Sequence, residues 1–261
     1  MASAACMANL KPFISARLVE RTMFSEERGR FLFIPERPVQ FRPGQYATIA
    51  VQDGDGVIQR AYSIVSSPHE PFLEFFIELV AHGALTPRIW ELRTGDAVLI
   101  RERIVGAFVL DPASALHRRL LVATGTGIAP YMSMARAKAA DLKAGKTDAE
   151  EFLVLHGGSR APDLGSYREE LTALASDGWL QYVPTVSRPW DDPAWVGETG
   201  RVEDVLRKYA DSLDFNARNA VAYLCGHPDM VEHGKSLLRR ATFPKAQVKE
   251  EKYFTLPASG D

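Results

Sequence analysis

Arg119-Leu120-Leu121-Val122-Ala123-Thr124-Gly125-Thr126-Gly127-Ile128-Ala129-Pro130, RLLVATGTGIAP, decides how this 261-residue chain is read. An apolar run with strand character passes directly into a Gly-x-Gly turn and then into a helical segment with a proline near its start. Glycines let the backbone approach a ligand, and Pro130 leaves the remaining N–H groups and the positive end of the helix dipole facing a phosphate. The context is that of a pyrophosphate site. The third glycine of the full dinucleotide fingerprint is not filled, so a plain strand-to-helix turn stands as the alternative for the loop taken alone.

Outward from this loop the chain shows two rhythms. After residue 115 the apolar runs RLLVAT, EFLVLHGG, LQYVPTVS and AVAYLCG alternate with the helical segments YMSMARAKAADLKAG, YREELTALASDG, VEDVLRKYADSL and MVEHGKSLLRRAT. Such alternation predicts an α/β doubly wound parallel sheet, with ligands beyond the carboxyl ends of its strands. Up to about residue 111 the runs are short, β-rich and separated by Gly, Pro and Asp: ISARLVERTMF, RFLFIPE, QYATIAVQ, RAYSIVSS, FLEFFIELV, DAVLIRE and AFVLD. These predict an antiparallel β-barrel or sandwich. Arg42-Pro43-Gly44 reads as a turn and Asp53-Gly54-Asp55-Gly56 as a hairpin. One short helix interrupts the series, with Thr86 as its cap, Pro87 at its first position and RIWELR following. The expected division is a first domain over 1–111 and a second over 115–261, joined through DPASALHRR.

The composition narrows the function. With 31 basic and 33 acidic residues and a net charge of −2, nothing favours nucleic acid or an anionic membrane as the main partner. Cys6 and Cys225 are too few and too far apart for a disulfide framework or an iron–sulfur cluster. The six histidines show no i, i+4 pair, so no metal site is expected. The start MASAACMANLKPF has no signal-peptide pattern, and no later run has the roughly 18 apolar residues of a membrane span. A soluble, cytoplasmic monomer is the expectation.

Several residues are placed to carry chemistry. Ser159-Arg160, Ser187-Arg188 and Arg201 each follow a strand of the second domain, so the arginines fall on the edge that carries the glycine loop. Forked donors of this kind suit a 2′-phosphate, whereas an NAD site favours an Asp or Glu that accepts from ribose hydroxyls. Taken singly, each arginine is equally an ordinary solvated charge. Cys225-Gly226 closes the strand AVAYL, where a glycine admits a planar ring; alone, the cysteine reads as a small buried hydrophobe. In the first domain, Gly83-Ala84-Leu85-Thr86 precedes a helix start and forms a second phosphate-ready segment. Within RAYSIVSSP, Arg60 and Tyr62 project from one face of a strand, a cation beside a flat aromatic surface, with Ala61 and Ser63 on the other. A ligand with phosphate and a fused ring system would use both.

The ordered set RAYSIVSSP, GALTPRIWEL, GDAVLI, GAFVLD, ATGTGIAP, HGGSR, VSRP, TGRV, CGHPDM and EEKYF resembles the ferredoxin–NADP reductase family, in its bacterial ferredoxin (flavodoxin) reductase branch, over almost the whole chain. The resemblance implies that the β-barrel binds FAD and the α/β domain binds NADP(H). It places Arg60 at the FAD pyrophosphate, Tyr62 on the isoalloxazine, Ser63 near flavin N5, Ala61 among the FAD-binding residues, and the amides around Gly83, Leu85 and Thr86 on the FAD phosphates. Tyr253 would cover the opposite isoalloxazine face and Phe254 would meet the adenine end of FAD. Thr124, Gly125, Thr126 and Gly127 would lie along the NADP pyrophosphate, Arg160, Ser187, Arg188 and Arg201 around the 2′-phosphate, and Cys225 and Gly226 beside the nicotinamide. The implied activity is hydride transfer between NADPH and flavin N5, coupled to one-electron exchange with ferredoxin or flavodoxin. In it Ser63, Cys225, Glu251 and Tyr253 act by positioning and polar stabilisation, because the flavin carries the hard chemistry. Tyr253-Phe254 is followed here by TLPASGD, where some bacterial relatives stop at an aromatic pair. Two alternatives share the plan: an NAD(P)H:flavin reductase that releases its flavin, and a flavin-binding electron-transfer subunit. The second usually adds an iron–sulfur domain, for which this chain lacks the cysteines.

Overall fold

The computed structural model describes residues 12–54, 56–111, 114–146 and 149–253. The chain forms two compact units: residues up to Leu110 together with Ala129–Ala144, and Asp111–Ile128 together with residues from Gly145 onward.

In the first unit, β1 (Phe13–Met23), β2 (Arg28–Pro35), β3 (Tyr46–Asp53), β4 (Gly56–Ser63), β5 (Leu73–Glu78) and β6 (Ala97–Arg101) form one antiparallel sheet in the order β4-β3-β6-β1-β2-β5. Period-two alternation turns Ile14, Ala16 and Leu18 of β1 and Phe31 and Phe33 of β2 into a core shared with Ile49, Phe75 and Ile100. The sheet curls until its two edges meet just after β4. There Val65 N–H donates to the Glu74 carbonyl (2.9 Å) and Ser66 Oγ accepts from Glu74 N–H (3.1 Å). Both predicted turns form: Gln45 N–H donates to the Arg42 carbonyl across Gly44, whose φ is +95°, and Asp53 pairs with Gly56 in the β3–β4 hairpin.

Two expectations fail locally. AFVLD is not a strand: after β6 the chain is irregular except for a bridge from Tyr46 to Val105, because Gly106 takes a φ of +136° and turns the backbone out of extension. Thr86 does not cap the short helix. Helix α1 (Thr86–Glu91) begins at Thr86 itself, with Leu85 as N-cap and no side-chain cap. The Thr86 hydroxyl is already used, accepting from Val80 N–H (2.9 Å) and donating to the Val80 carbonyl (3.2 Å), which closes the preceding loop.

In the second unit, β7 (Arg118–Thr124), β8 (Glu151–Gly158), β9 (Leu180–Val186), β10 (Glu198–Thr199), β11 (Ala220–Gly226) and β12 (Val248–Lys252) form an all-parallel sheet in the order β10-β9-β8-β7-β11-β12. Strand order reverses between β7 and β11, and both strands are buried almost throughout, as central strands covered on both faces are. Helix α2 (Ala129–Lys143) follows β7, and α3 (Tyr167–Ala175), α4 (Val202–Ser212) and α5 (Pro228–Arg240) follow β8, β10 and β11. At the amino end of β7, Arg119 is 1% exposed; its Nε donates to Glu150 (2.9 Å) and its Nη1 to the Leu116 carbonyl (2.6 Å).

Helix α2 packs with the first unit, a difference from a simple division at residues 111–115. Its Ser133 hydroxyl donates to the Ser66 carbonyl (2.7 Å), and Arg136 binds the buried Glu74 carboxylate (2.9 Å). The helix that continues from the glycine loop is thus seated on the seam that closes the barrel. Among the described residues, no helix is long and apolar enough to cross a membrane.

Candidate nucleotide and flavin sites

In the first unit, β4 is an edge strand, paired with β3 on one side only. Arg60 is exposed, and its Nη1 donates to the adjacent Gln59 carbonyl (2.8 Å). Tyr62, on the same face, packs against the barrel core. Burial pushes its phenol up to about 12, with the Arg60 charge opposing, so the ring stays neutral at physiological pH. An accessible guanidinium next to a fixed aromatic ring on an unpaired edge fits a ligand that has both phosphate and a fused ring. Around the expected phosphate segment, Gly83 N–H is committed to the Val80 carbonyl (2.8 Å), which removes that amide from the donor set. The first amides of α1, including that of Thr86, have no intrahelical acceptor.

In the second unit the site is built at the reversal of strand order, where α/β sheets bind nucleotides. The segment Gly125–Ile128 is a 3₁₀ turn that leads into α2, and Gly125 needs its φ of +50° to begin it. Two glycines let the ends of β7 and β11 touch. A Cβ on Gly127 would stand 2.3 Å from the Cys225 carbonyl oxygen, and one on Gly226 would stand 2.3 Å from Thr124 Oγ1. That Thr124 hydroxyl accepts from His227 N–H (2.9 Å), which ties the two loops together.

His156, fully buried in β8, reaches the same loop. Its Nε2 lies 2.9 Å from the Gly125 carbonyl and its Nδ1 3.3 Å from the Tyr182 hydroxyl. A carbonyl only accepts, so Nε2 carries the proton and Nδ1 accepts from Tyr182. Burial raises the Tyr182 phenol far above its usual range, which keeps that donor protonated. Sequence reasoning passed over His156 although it lies within HGGSR.

The three arginines stand at the carboxyl ends of parallel strands: Arg160 after β8, Arg188 after β9 and Arg201 after β10, at the start of α4. Ser187 N–H donates to the Gly158 carbonyl (3.0 Å) and Arg188 N–H to the Ser159 carbonyl (2.9 Å), so two of the loops are joined through backbone. Asp163 Oδ2 accepts from Ser159 and Arg160 N–H (2.9 Å each), and Asp204 Oδ2 accepts from Arg201 N–H (3.0 Å). Both carboxylates sit three residues after the arginine they fix, at the position a capping-box acid takes, but with Arg where the usual signature has Ser or Thr. Among the described residues the Arg188 guanidinium has no partner, and Arg201 has only Glu203 at 3.9 Å. This donor set fits a phosphorylated nucleotide.

Cys225 and Gly226 end β11, and the parallel register sets Glu251 opposite Cys225. Tyr253 follows β12 directly; its N–H donates to the Gly226 carbonyl (3.0 Å), and its hydroxyl meets Cys225 Sγ (3.9 Å) and the Thr126 side chain. Burial, and next the Glu251 charge, raise the Cys225 thiol well above its usual range. It is therefore a neutral thiol and no nucleophile at physiological pH. The structure thus gathers Thr124 to Gly127, Cys225, Gly226, Glu251 and Tyr253 at one crevice of the second unit, while Arg60, Ala61, Tyr62, Ser63, Gly83, Leu85 and Thr86 belong to the first. Phe254 lies outside the described residues. Among the described residues, no three His, Cys, Asp or Glu side chains cluster as metal ligands.

Residues 15–105 match the oxidoreductase FAD-binding domain and residues 121–235 the oxidoreductase NAD-binding domain. The flavodoxin/ferredoxin–NADP reductase of Escherichia coli K12 is 33% identical over 202 residues, 73% of this chain and 76% of that protein. That of Buchnera aphidicola is 26% identical over 262 residues, 94% of this chain and all of its own length. In fold, the chain is similar to a ferredoxin NADP+ reductase from Neisseria gonorrhoeae solved with bound FAD and NADP, at a TM-score of 0.82 and 21% identity over 93% of this chain and 99% of that one. With an antiparallel FAD-binding sheet, a parallel NAD(P)-binding sheet and these relatives, the chain belongs to the flavodoxin/ferredoxin–NADP reductase family of oxidoreductases.

Proposed function

We propose that the protein is an NADPH-dependent ferredoxin or flavodoxin reductase. Bound FAD and NADP(H) supply two-electron hydride transfer and its conversion to one-electron exchange with the carrier. The chain's own residues bind, orient and shield. Arg60 neutralises a flavin-nucleotide phosphate, and Tyr62 offers a neutral ring as a stacking surface. Ser63 gives a hydroxyl at the end of the same strand for the reactive edge. The Gly125 to Gly127 backbone approaches the dinucleotide pyrophosphate without side chains in the way. Arg160, Arg188 and Arg201, with Ser187, hold the 2′-phosphate. Cys225, kept protonated by its burial and next by the Glu251 charge, shapes the crevice beside Gly226. Tyr253, tethered to Cys225 and Thr126, excludes water from that crevice and has to swing away before a nicotinamide enters it.

One observation carries the NADPH reading: guanidiniums at three adjacent carboxyl strand ends, of which Arg188 is without a partner among the described residues. A hydrogen bond to a charged group contributes about 1.5–3 kcal/mol, or roughly tenfold to a hundredfold in affinity. Arg188→Ala and Arg201→Ala should therefore raise KM for NADPH by at least about tenfold while changing KM for NADH little. Equal effects on the two nucleotides would overturn the assignment. For the carrier, NADPH-driven cytochrome c reduction is measured with and without added ferredoxin or flavodoxin; stimulation by neither removes that half of the reading.

A further inference from the structure

The arginine that ends β8 is already engaged. Arg160 Nε donates to Asp191 Oδ2 at 2.6 Å, with the two side chains 52% and 30% exposed. The contact is built by the chain path and is not a chance meeting of surface charges. The backbone bonds from Ser187 and Arg188 fasten the loop after β9 to the loop after β8. Pro189–Asp191 then makes a single 3₁₀ turn, closed by Asp191 N–H on the Arg188 carbonyl (3.2 Å) and by Asp192 N–H on the Pro189 carbonyl (3.1 Å). That turn brings the Asp191 carboxylate back over Arg160. The neighbouring acids are occupied differently: Asp163 accepts two loop amides, and Asp192 Oδ1 accepts from Ala194 N–H (3.1 Å). Asp191 Oδ1 has no hydrogen-bond partner among the described residues.

A carboxylate here acts on both kinds of dinucleotide. Toward a 2′-phosphate it is a like charge and a competitor for Arg160. Toward a free ribose it is an acceptor for the 2′- and 3′-hydroxyls, the device by which NAD sites recognise their ligand. We infer that Asp191 is a specificity-determining residue that lowers discrimination against nicotinamide dinucleotides with a free 2′-hydroxyl, so that the site accepts NAD(H) beside NADP(H). The inference rests on the reading of Arg160 as a 2′-phosphate ligand. Because the pair is solvated, Arg160 is released when a 2′-phosphate arrives, and Arg188 and Arg201 still favour that phosphate. The result is a graded preference for NADP(H).

The test is equilibrium binding of NADP+ and of NAD+ to the FAD-loaded protein by isothermal titration calorimetry, which involves no turnover. An exposed charge pair is worth up to about 1 kcal/mol, roughly a fivefold effect. Asp191→Ala should therefore tighten NADP+ about threefold to fivefold and weaken NAD+ by a similar factor. Asp191→Asn, which keeps an acceptor and loses the charge, should tighten NADP+ and leave NAD+ within about twofold. Arg160→Ala is measured alongside and should weaken NADP+ while sparing NAD+. If Arg160→Ala behaves so and the Asp191 variants leave the NADP+ to NAD+ ratio unchanged, the inference is overturned and the NADPH reading stands. If none of the variants changes the ratio, the inference fails together with the reading of Arg160 as a 2′-phosphate ligand, while Arg188 and Arg201 are judged by their own variants.

Discussion

Gly127→Ala isolates the close approach on which the proposed nucleotide crevice depends. Its φ lies outside the left-handed region, so alanine brings no backbone strain and the cost is steric. The added methyl would stand 2.3 Å from the Cys225 carbonyl oxygen, 2.8 Å from its carbonyl carbon and 3.0 Å from Gly226 Cα, where ordinary contacts begin near 3.4 Å. All three obstacles are backbone, so no rotamer change relieves the overlap. The β7 turn has to retreat from the end of β11 by about 1 Å, and overpacking of this kind costs about 1–3 kcal/mol, here toward the upper end. A displacement of about 1 Å in a positioned site costs up to about a hundredfold in rate, so kcat/KM for NADPH should fall toward that limit. Gly56→Ala is the control: the nearest atom to its Cβ is Asp53 O at 3.8 Å, and it should stay within about 0.5 kcal/mol of wild type. Stability is followed by calorimetric melting of the holoenzyme, binding by NADP+ titration. A Gly127→Ala protein with the melting temperature and NADP+ affinity of wild type would refute the reasoning.

Other expectations follow from buried groups. Arg119→Ala deletes a buried guanidinium that donates to Glu150 and to the Leu116 carbonyl at the amino end of β7 and should cost about 1–3 kcal/mol in urea unfolding; a loss under about 0.5 kcal/mol would show these contacts to be dispensable. Ser133→Ala leaves the buried Ser66 carbonyl without its donor and should cost about 1–3 kcal/mol by the same measurement; no change would mean that the seam does not need it. Cys225 ionises later in the folded than in the unfolded chain, so above about pH 8.5 the unfolded state loses this proton first and stability falls with pH, by at most about 1.4 kcal/mol per unit. Between about pH 8.5 and 10, before tyrosines contribute, Cys225→Ala should show a flatter stability profile than wild type. Parallel profiles would contradict the burial argument.

Period-two and alternating patterns made both sheets legible in the sequence, as did the glycine loop and the positions of the three arginines. What was not legible came from contacts and backbone turns that carry no periodic pattern. Thr86 had the chemistry of a cap, but Val80 claimed its hydroxyl. AFVLD had strand propensity, but the left-handed backbone of Gly106 decided otherwise. Neither His156 nor Asp191 carried a local signal of its role, since each acquires it through an atom on another crossover: the Gly125 carbonyl and Arg160 Nε. Asp163 and Asp204 take the capping-box acid position, but Arg160 and Arg201 stand where the Ser or Thr of that signature would mark it. Helix α2 was correctly placed in the chain order, yet its packing partner depends on Ser66 and Glu74, more than 60 residues earlier.

That seating of α2 has a consequence for recombining these enzymes. Ser66 and Glu74 both close the barrel and receive the helix, so the helix and the barrel are one inheritance unit even though other sequence lies between them. A chimera joined once, near Leu110, would give a barrel from one parent a helix selected against another parent's seam. Exchange of flavin-binding halves between relatives therefore calls for a second donor segment spanning Ala129–Ala144, and a library built without it should lose folded members at the Ser133 and Arg136 contacts first.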